Sequence, residues 1–193
     1  MSLSTNLLDA LSPENRIFVA FSGGLDSTAL LFLCNKALKE KKIRNLKAIH
    51  INHNLSKNNH NWQKHCESFC RSNNIEFESF MVKVSKNRSS IESQARQARY
   101  KIFESLLDEN DQILLAHHRD DVFETILLRL FRGTGVDGLS GLNEKRSLGK
   151  GEIIRPFLNL SKSDLEIFID ENDLKYVEAV SYTHLTLPTI YSV

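Results

Sequence analysis

The apolar run Arg16-Ile-Phe-Val-Ala-Phe21 ends on Ser22-Gly23-Gly24, and a helical pattern begins at once, with Ala29, Leu30, Leu33, Ala37 and Leu38 spaced by one, three or four positions. A short run without polar alternation reads as a strand buried on both faces. Strand, glycine turn and helix then recur. Strands are expected at Leu46 to Asn52, Ile75 to Val84, Asp111 to Ala116 and Glu152 to Pro156, and helices at Asn61 to Arg71, Ile91 to Leu107 and Asp120 to Phe131. A final helix starts at Ser161 or Ser163, with Glu166 completing a capping box from Ser163. Alternation of this kind, with right-handed crossovers, specifies an α/β fold: a doubly wound, mostly parallel, Rossmann-like sheet with helices on both faces. Residues 133–151 hold six of the eight glycines and read as a long loop.

Composition narrows the class. A chain of 193 residues, 41% hydrophobic, supports one core without disulfides, and three cysteines form no framework, which suits a reducing cytosol. Nothing approaches the ~18 apolar residues of a membrane span, so the expectation is a cytoplasmic protein with no membrane partner. A net charge of +1 gives no global reason to expect nucleic acid. The distribution is uneven, however: residues 1–155 carry 23 basic and 18 acidic side chains, against 2 and 6 in residues 156–193.

Ligands of doubly wound sheets bind beyond the carboxyl ends of the strands, and three polar clusters fall there: Ser22 to Ser27, His50 to Asn54 and His117 to Asp121. In the first, adjacent glycines open backbone angles closed to other residues and let N–H groups approach an anion, while Ser27 and Thr28 add hydroxyls at a helix start. A capped glycine turn would explain that much, but not Asp26. A carboxylate beside a phosphate repels it unless a cation lies between, and Mg²⁺, held by one or two carboxylates plus phosphates, resolves the conflict. No lysine follows the glycines, and the spacing also fails G-x-G-x-x-G. Asp121 and Glu124, three apart at a helix start, can hold Mg²⁺ or an ammonium ion, or simply complement the dipole. His117 and His118 make a poor zinc pair, because adjacent side chains diverge and no third ligand is spaced to join them. Trp62 reads as a contact between a helix and the core.

Ser22-Gly-Gly-Leu-Asp-Ser27 resembles the S-G-G-x-D-S loop of the N-type ATP pyrophosphatases, the PP-loop superfamily. That resemblance implies an adenine nucleotide alpha hydrolase-like fold and cleavage of ATP to AMP and pyrophosphate during adenylation of a carbonyl-like oxygen. Ile49-His-Ile-Asn-His53, Ile91 to Tyr100, Ala116 to Thr125 and Arg132 to Leu139 are further similar to the tRNA(Ile)-lysidine synthetase family, a match running from about Phe18 to Glu178. What this implies is ligation of L-lysine to C2 of the wobble cytidine of a CAU-anticodon isoleucine tRNA, with ATP and Mg²⁺.

The resemblance also distributes roles. Ser22, Gly23, Gly24, Leu25, Asp26, Ser27, His50 and His117 would bind ATP, with Asp26 the Mg²⁺ ligand. Asp26, Arg96, Asp121 and Glu124 would be catalytic, and Asp121, Glu124, Gly133, Thr134 and Gly135 would hold lysine. Arg99, Arg129 and Arg132 would contact tRNA, with Arg119, Lys145, Arg146 and Lys150 as further phosphate contacts. An iron-sulfur thiolase of the superfamily would want C-x-x-C, which is missing here, and a glutaminase domain has no room. A nucleotide-binding module without turnover, another adenylating tRNA-modifying enzyme and a homodimeric assembly stay open.

The family pattern continues after Glu178 with D-x-S-N and an Arg-rich helix, whereas residues 179–193 contain no Asp, Glu, Lys or Arg. The expectation is a catalytic domain at 1–178, a non-native or disordered tail at 179–193, and no carboxy-terminal tRNA-binding domains.

Overall fold

β1 is Ile17–Ala20, and it lies between two parallel neighbours, β2 (Leu46–Asn52) and β4 (Gln112–Leu114). The computed structural model describes residues 3–52, 59–82, 91–131, 133 and 141–177. A central parallel strand is buried on both faces, which is why its sequence is uninterrupted Ile-Phe-Val-Ala. The full order is β3-β2-β1-β4-β6-β5, where β3 is Glu76–Met81, β5 Lys145–Leu148 and β6 Gly151–Ile154. All neighbours are parallel except β5 and β6.

Successive residues of each strand feed two different cores, as a period of two requires. Ile17, Val19, Leu46, Ala48, Leu114 and Ile154 face a cluster completed by α1 (Leu3–Ala10), α2 (Leu25–Lys39), α3 (Asn59–Ser72) and α6 (Lys162–Glu171). Phe18, Ile49, Ile113 and Ile153 face the other way, onto Phe103 and Tyr100 of α4 (Ile91–Leu106). The doubly wound expectation is met. The chain steps outward through β1, β2 and β3, then crosses back through α4 to β4 on the far side of β1. The order therefore reverses between β1 and β4, and a crevice opens beyond their carboxyl ends.

At the opposite end of the sheet, Arg16 joins the starts of β1 and β4. Its Nε donates to Asp111 Oδ1 at 2.9 Å, and its Nη2 donates to both Asp111 and Asp108. Asp111 is buried and also accepts the Asp108 N–H at 2.7 Å, so its charge is compensated from two sides.

Three expectations need correction. The loop expected at 133–151 is too long, because 145–154 is an antiparallel hairpin turned at Gly149, φ 57°. β5 is an edge strand with three exposed residues, Lys-Arg-Ser, so it lacks the apolar run by which a strand is recognised. The cap of α6 is Ser161, paired reciprocally with Asp164 rather than Ser163 with Glu166: the helix starts at Lys162, which puts Asp164 at its third position. α1 was not anticipated, although Leu7, Ala10 and Leu11 are buried at helical spacing. The expectations for Arg132, Thr134, Gly135 and the tail at 179–193 lie outside the described residues.

Gly151 seats the hairpin against the start of β4, where a Cβ would come within 2.5 Å of the Asp111 carbonyl oxygen and 3.0 Å of Leu107 Cβ. Backbone on one side and core on the other leave nothing flexible to yield. Gly151→Ala is expected to lower unfolding free energy by roughly 1–3 kcal/mol, read from the urea midpoint at constant slope. A midpoint unchanged from that of the parent chain would contradict this packing.

Candidate functional site

The turn between β1 and α2 is held from inside. Ser22 Oγ lies 3.0 Å from Ser27 Oγ and accepts the Gly24 N–H at 3.3 Å, while Ser27 Oγ donates to the Gly24 carbonyl at 3.1 Å. Gly23 has φ 83°, and a Cβ there would meet Cys66 Sγ at 2.8 Å, so glycine is required twice over. The N-cap of α2 is Gly24, which has no side-chain oxygen to offer. The first-turn N–H groups and the positive end of the helix dipole are thus left for an anion. Val177 braces the turn from outside, its N–H donating to the Gly23 carbonyl at 2.8 Å.

A cavity of about 520 Å³ opens beside this turn, over the ends of β1, β2 and β4. Ser22, Gly24, Asp26, Ser27, His50, His117 and Asp121 line it, which brings together the three polar clusters picked from the sequence. Arg99 also lines it, projecting from α4, and Trp62 forms another part of the wall. Trp62, read from the sequence as a contact between a helix and the core, is half-buried on a helix packed over the end of β2 and gives one face to the cavity.

Asp26 and Asp121 converge on one nitrogen of His118, with Asp26 Oδ1 and Asp121 Oδ2 each 3.7 Å from its Nε2, while Asp120 Oδ2 lies 3.5 Å from Nδ1. Asp121 is fixed by accepting the His118 backbone N–H at 2.8 Å. Asp26 Oδ1 is buried and has no hydrogen-bond partner. Burial holds the Asp26 carboxyl above the usual carboxylate range; His118 draws it down and the charge of Asp121 pushes it up. An orphaned carboxylate oxygen facing an anion-binding turn fits a divalent cation shared with phosphates. Among the described residues no cluster of three or more His, Cys, Asp or Glu could hold a metal by itself.

The two arginines of α4 differ. Arg99 is half-buried, its buried Nε is without a partner, and desolvation pulls its guanidinium below the usual arginine range. Arg96 is exposed, outside the cavity lining, and sits 5.1 Å above the Tyr100 ring. Arg99 and Arg146 lie over the same ring at 5.8 and 5.4 Å. Three apart on α4, Arg96 and Arg99 are close to one face of the helix, yet only Arg99 lines the cavity.

Several expected residues stand apart from the cavity. Leu25 packs against the core, and Glu124 is exposed on α5 (Arg119–Phe131), one turn beyond Asp121. Arg129 and Gly133 lie farther along that helix and its end, outside the lining. Arg155 was not anticipated. It is 2% exposed and donates from Nε to His117 Nδ1 at 3.1 Å, but its place after an apolar strand carried no chemical pattern to single it out.

The cysteines are packing groups. Cys66 lies beneath Gly23, and burial pushes the Cys66 and Cys70 thiols up to about 12.

Burial, reinforced by Arg155, brings the His117 imidazole down to about 4. An unfolded histidine takes up its proton near pH 6.5, so between that pH and about 4 the unfolded chain binds a proton that the folded chain refuses. Stability contributed by neutral His117 is therefore present above that window and falls, by roughly 3 kcal/mol, as pH drops through it. His50, also lowered by burial, acts in the same sense, and raised Asp26 acts against it. Urea titrations across this window are expected to show a shallower loss for His117→Gln than for the parent chain. Parallel slopes would contradict the buried neutral imidazole.

Comparison with known proteins agrees with this geometry. Residues 2–187 match the PP-loop domain family. The chain is 43% identical over 176 residues to the tRNA(Ile)-lysidine synthase of Legionella pneumophila (strain Lens), covering 91% of this chain and 40% of that protein. It is 43% identical over 179 residues to the enzyme of that name from Pseudomonas syringae pv. tomato (91% and 40%), and 41% over 172 residues to that from Coxiella burnetii (89% and 38%). The chain thus spans about two fifths of the length of these relatives. Among solved structures it resembles the U34-tRNA thiolase NcsA of Methanococcus maripaludis with its [4Fe-4S] cluster, at TM-score 0.72, 21% identity, and coverage of 91% of this chain and 65% of that one. The phosphoadenylyl-sulfate reductase of Candida auris, in a phosphate complex, follows at TM-score 0.56 and 10% identity, covering 91% and 82%. These two likenesses show the fold alone. With the glycine turn, the strand order and the match over nearly its whole length in agreement, the chain belongs to the PP-loop domain family.

Proposed function

We propose that this chain is the nucleotide-binding catalytic part of a tRNA(Ile)-lysidine synthase. In this reading ATP and the CAU-anticodon isoleucine tRNA meet in the cavity beyond β1 and β4. The observation that carries it is the meeting, in one cavity, of an α2 start without a side-chain cap, two carboxylates and a half-buried guanidinium without a partner on Nε. Identity above 40% to proteins of that name supports the choice within the family.

Backbone N–H groups at the start of α2, with Ser22 and Ser27, hold the β- and γ-phosphates. Arg99, expected from the sequence to be a tRNA contact, meets the α-phosphate, because it and not Arg96 lines the cavity. O2 of the wobble cytidine attacks the α-phosphorus, the bond to the bridging oxygen breaks, and pyrophosphate leaves with its charge on the α2 terminus. The lysine ε-amine, having lost its proton, then attacks C2 and expels AMP. Its ammonium form has a reference pKa of about 10.4, so an acceptor is needed, and Asp121 is the carboxylate placed in the cavity for it. Positioning and charge neutralisation carry most of such a transfer. Mg²⁺, held by Asp26 with the phosphates, supplies neutralisation of the phosphate charge when bound. Arg96 and Arg146, stacked on Tyr100 beside the cavity, are suited to phosphates of the tRNA backbone, as Arg129 and Arg132 are in the family pattern.

Pyrophosphate release with ATP, lysine and the CAU-anticodon tRNA tests this. Release stimulated by the tRNA is expected, and omission of lysine should leave the first step while abolishing lysidine. Asp26→Asn and Arg99→Ala should each lower kcat by about 100-fold, whereas Arg96→Ala should mainly raise KM for tRNA. No stimulation by tRNA, or equal effects at Arg96 and Arg99, would contradict the proposal.

A further inference from the structure

Two histidines line the cavity, and in each the hydrogen-bond partner decides where the ring proton sits. His50, near the end of β2, has Nδ1 2.8 Å from the Phe21 carbonyl. A carbonyl oxygen only accepts, so Nδ1 carries the proton and Nε2 of the neutral ring is left with a lone pair. His117, beyond β4, has Nδ1 3.1 Å from Arg155 Nε. A guanidinium only donates, so here Nδ1 is the acceptor and the proton lies on Nε2.

We infer that His50 and His117 are locked in opposite tautomers, giving the cavity one fixed acceptor at His50 Nε2 and one fixed donor at His117 Nε2, with Arg155 as the positioning residue that sets the second. The ligand this suits is a nucleoside group that offers one donor and one acceptor, so the ligand class rests on the reading of the cavity as the ATP site. The tautomers themselves do not.

Arg155 is built to hold that direction. It follows β6, whose Ile154 carbonyl accepts the Leu115 N–H at 2.9 Å, so it stands beside the strand end that carries His117. Its own backbone N–H donates to Glu144, its Nη1 donates to the Asn143 carbonyl at 2.6 Å, and its guanidinium also hydrogen-bonds Tyr100. Backbone and side chain are fixed separately, and little freedom is left to Nε. Burial lowers both imidazoles, His117 to about 4, which is consistent with two neutral rings. A proton-transfer role is then closed to His117, whose accepting nitrogen is already engaged. The acceptor for the amine proton falls to a carboxylate.

Long-range ¹H–¹⁵N spectra of the full chain with labelled histidine, at neutral pH, read the tautomers directly. Comparison with His50→Gln and His117→Gln assigns the two rings among the seven histidines. The expected result is a protonated Nδ1 for His50 and a protonated Nε2 for His117. Adding ATP should move both Nε2 signals. Arg155→Met should leave His117 averaging between tautomers and weaken ATP binding roughly tenfold, and Arg155→Lys, which still donates, should recover most of the fixed signal. If Arg155→Met does not fold, the spectrum of the parent chain decides alone. The same tautomer in both rings, or an imidazolium at His117, overturns the inference. Opposite tautomers that ignore ATP uphold the inference for the rings and overturn the ATP-site reading instead.

Discussion

A helix whose N-cap is glycine begins without a side-chain cap, and α2 begins this way, with Asp26 in its first turn, at the carboxyl end of the central strand. The surrounding structure keeps that arrangement open. Gly23 takes a left-handed conformation against Cys66, Ser22 and Ser27 close the turn on themselves, and Val177 holds its outer carbonyl. Strand order then places the ends of β2 and β4 on either side, so side chains distant in sequence face one anion-sized opening. Remove the open helix start and the cavity would lose its anion-binding end.

Charge around the opening is divided by burial rather than by number. The whole chain carries only +1. Locally, however, Arg96, Arg99 and Arg146 crowd one tyrosine ring, while Asp26 and Asp121 both approach His118 Nε2. A triphosphate bridged by a cation fits between such groups, because each side is under-compensated in the direction that the ligand supplies. Polyanion binding is therefore compatible with a near-neutral sequence when the cationic groups are concentrated and partly desolvated.

Much of this was legible in the sequence, for identifiable reasons. An uninterrupted apolar run marked the central strand β1, and Leu46–Asn52 has the bounds expected of it. The polar clusters at strand ends were likewise visible, because a doubly wound sheet brings every such end to one side. What escaped were features without local pattern. β5 is an exposed edge strand of Lys-Arg-Ser-Leu, and α1 shows only a few apolar residues at helical spacing. Periodicity placed Arg96 and Arg99 together but could not tell the buried from the exposed, which depends on how α4 lies on the sheet. Arg155 was invisible for a different reason: its role is defined by His117, which lies 38 positions away in sequence and beyond the end of a neighbouring strand.

The central claim is that the cavity holds ATP with its terminal phosphates on the start of α2. Soaking or co-crystallising the chain with a non-hydrolysable ATP analogue and Mg²⁺ tests it most directly. The account predicts β- and γ-phosphate oxygens within hydrogen-bond distance of backbone N–H groups between Gly24 and Ser27, the α-phosphate on Arg99, and the cation on Asp26. An analogue bound with its phosphates away from that turn, or with Arg99 turned out to solvent, would contradict it.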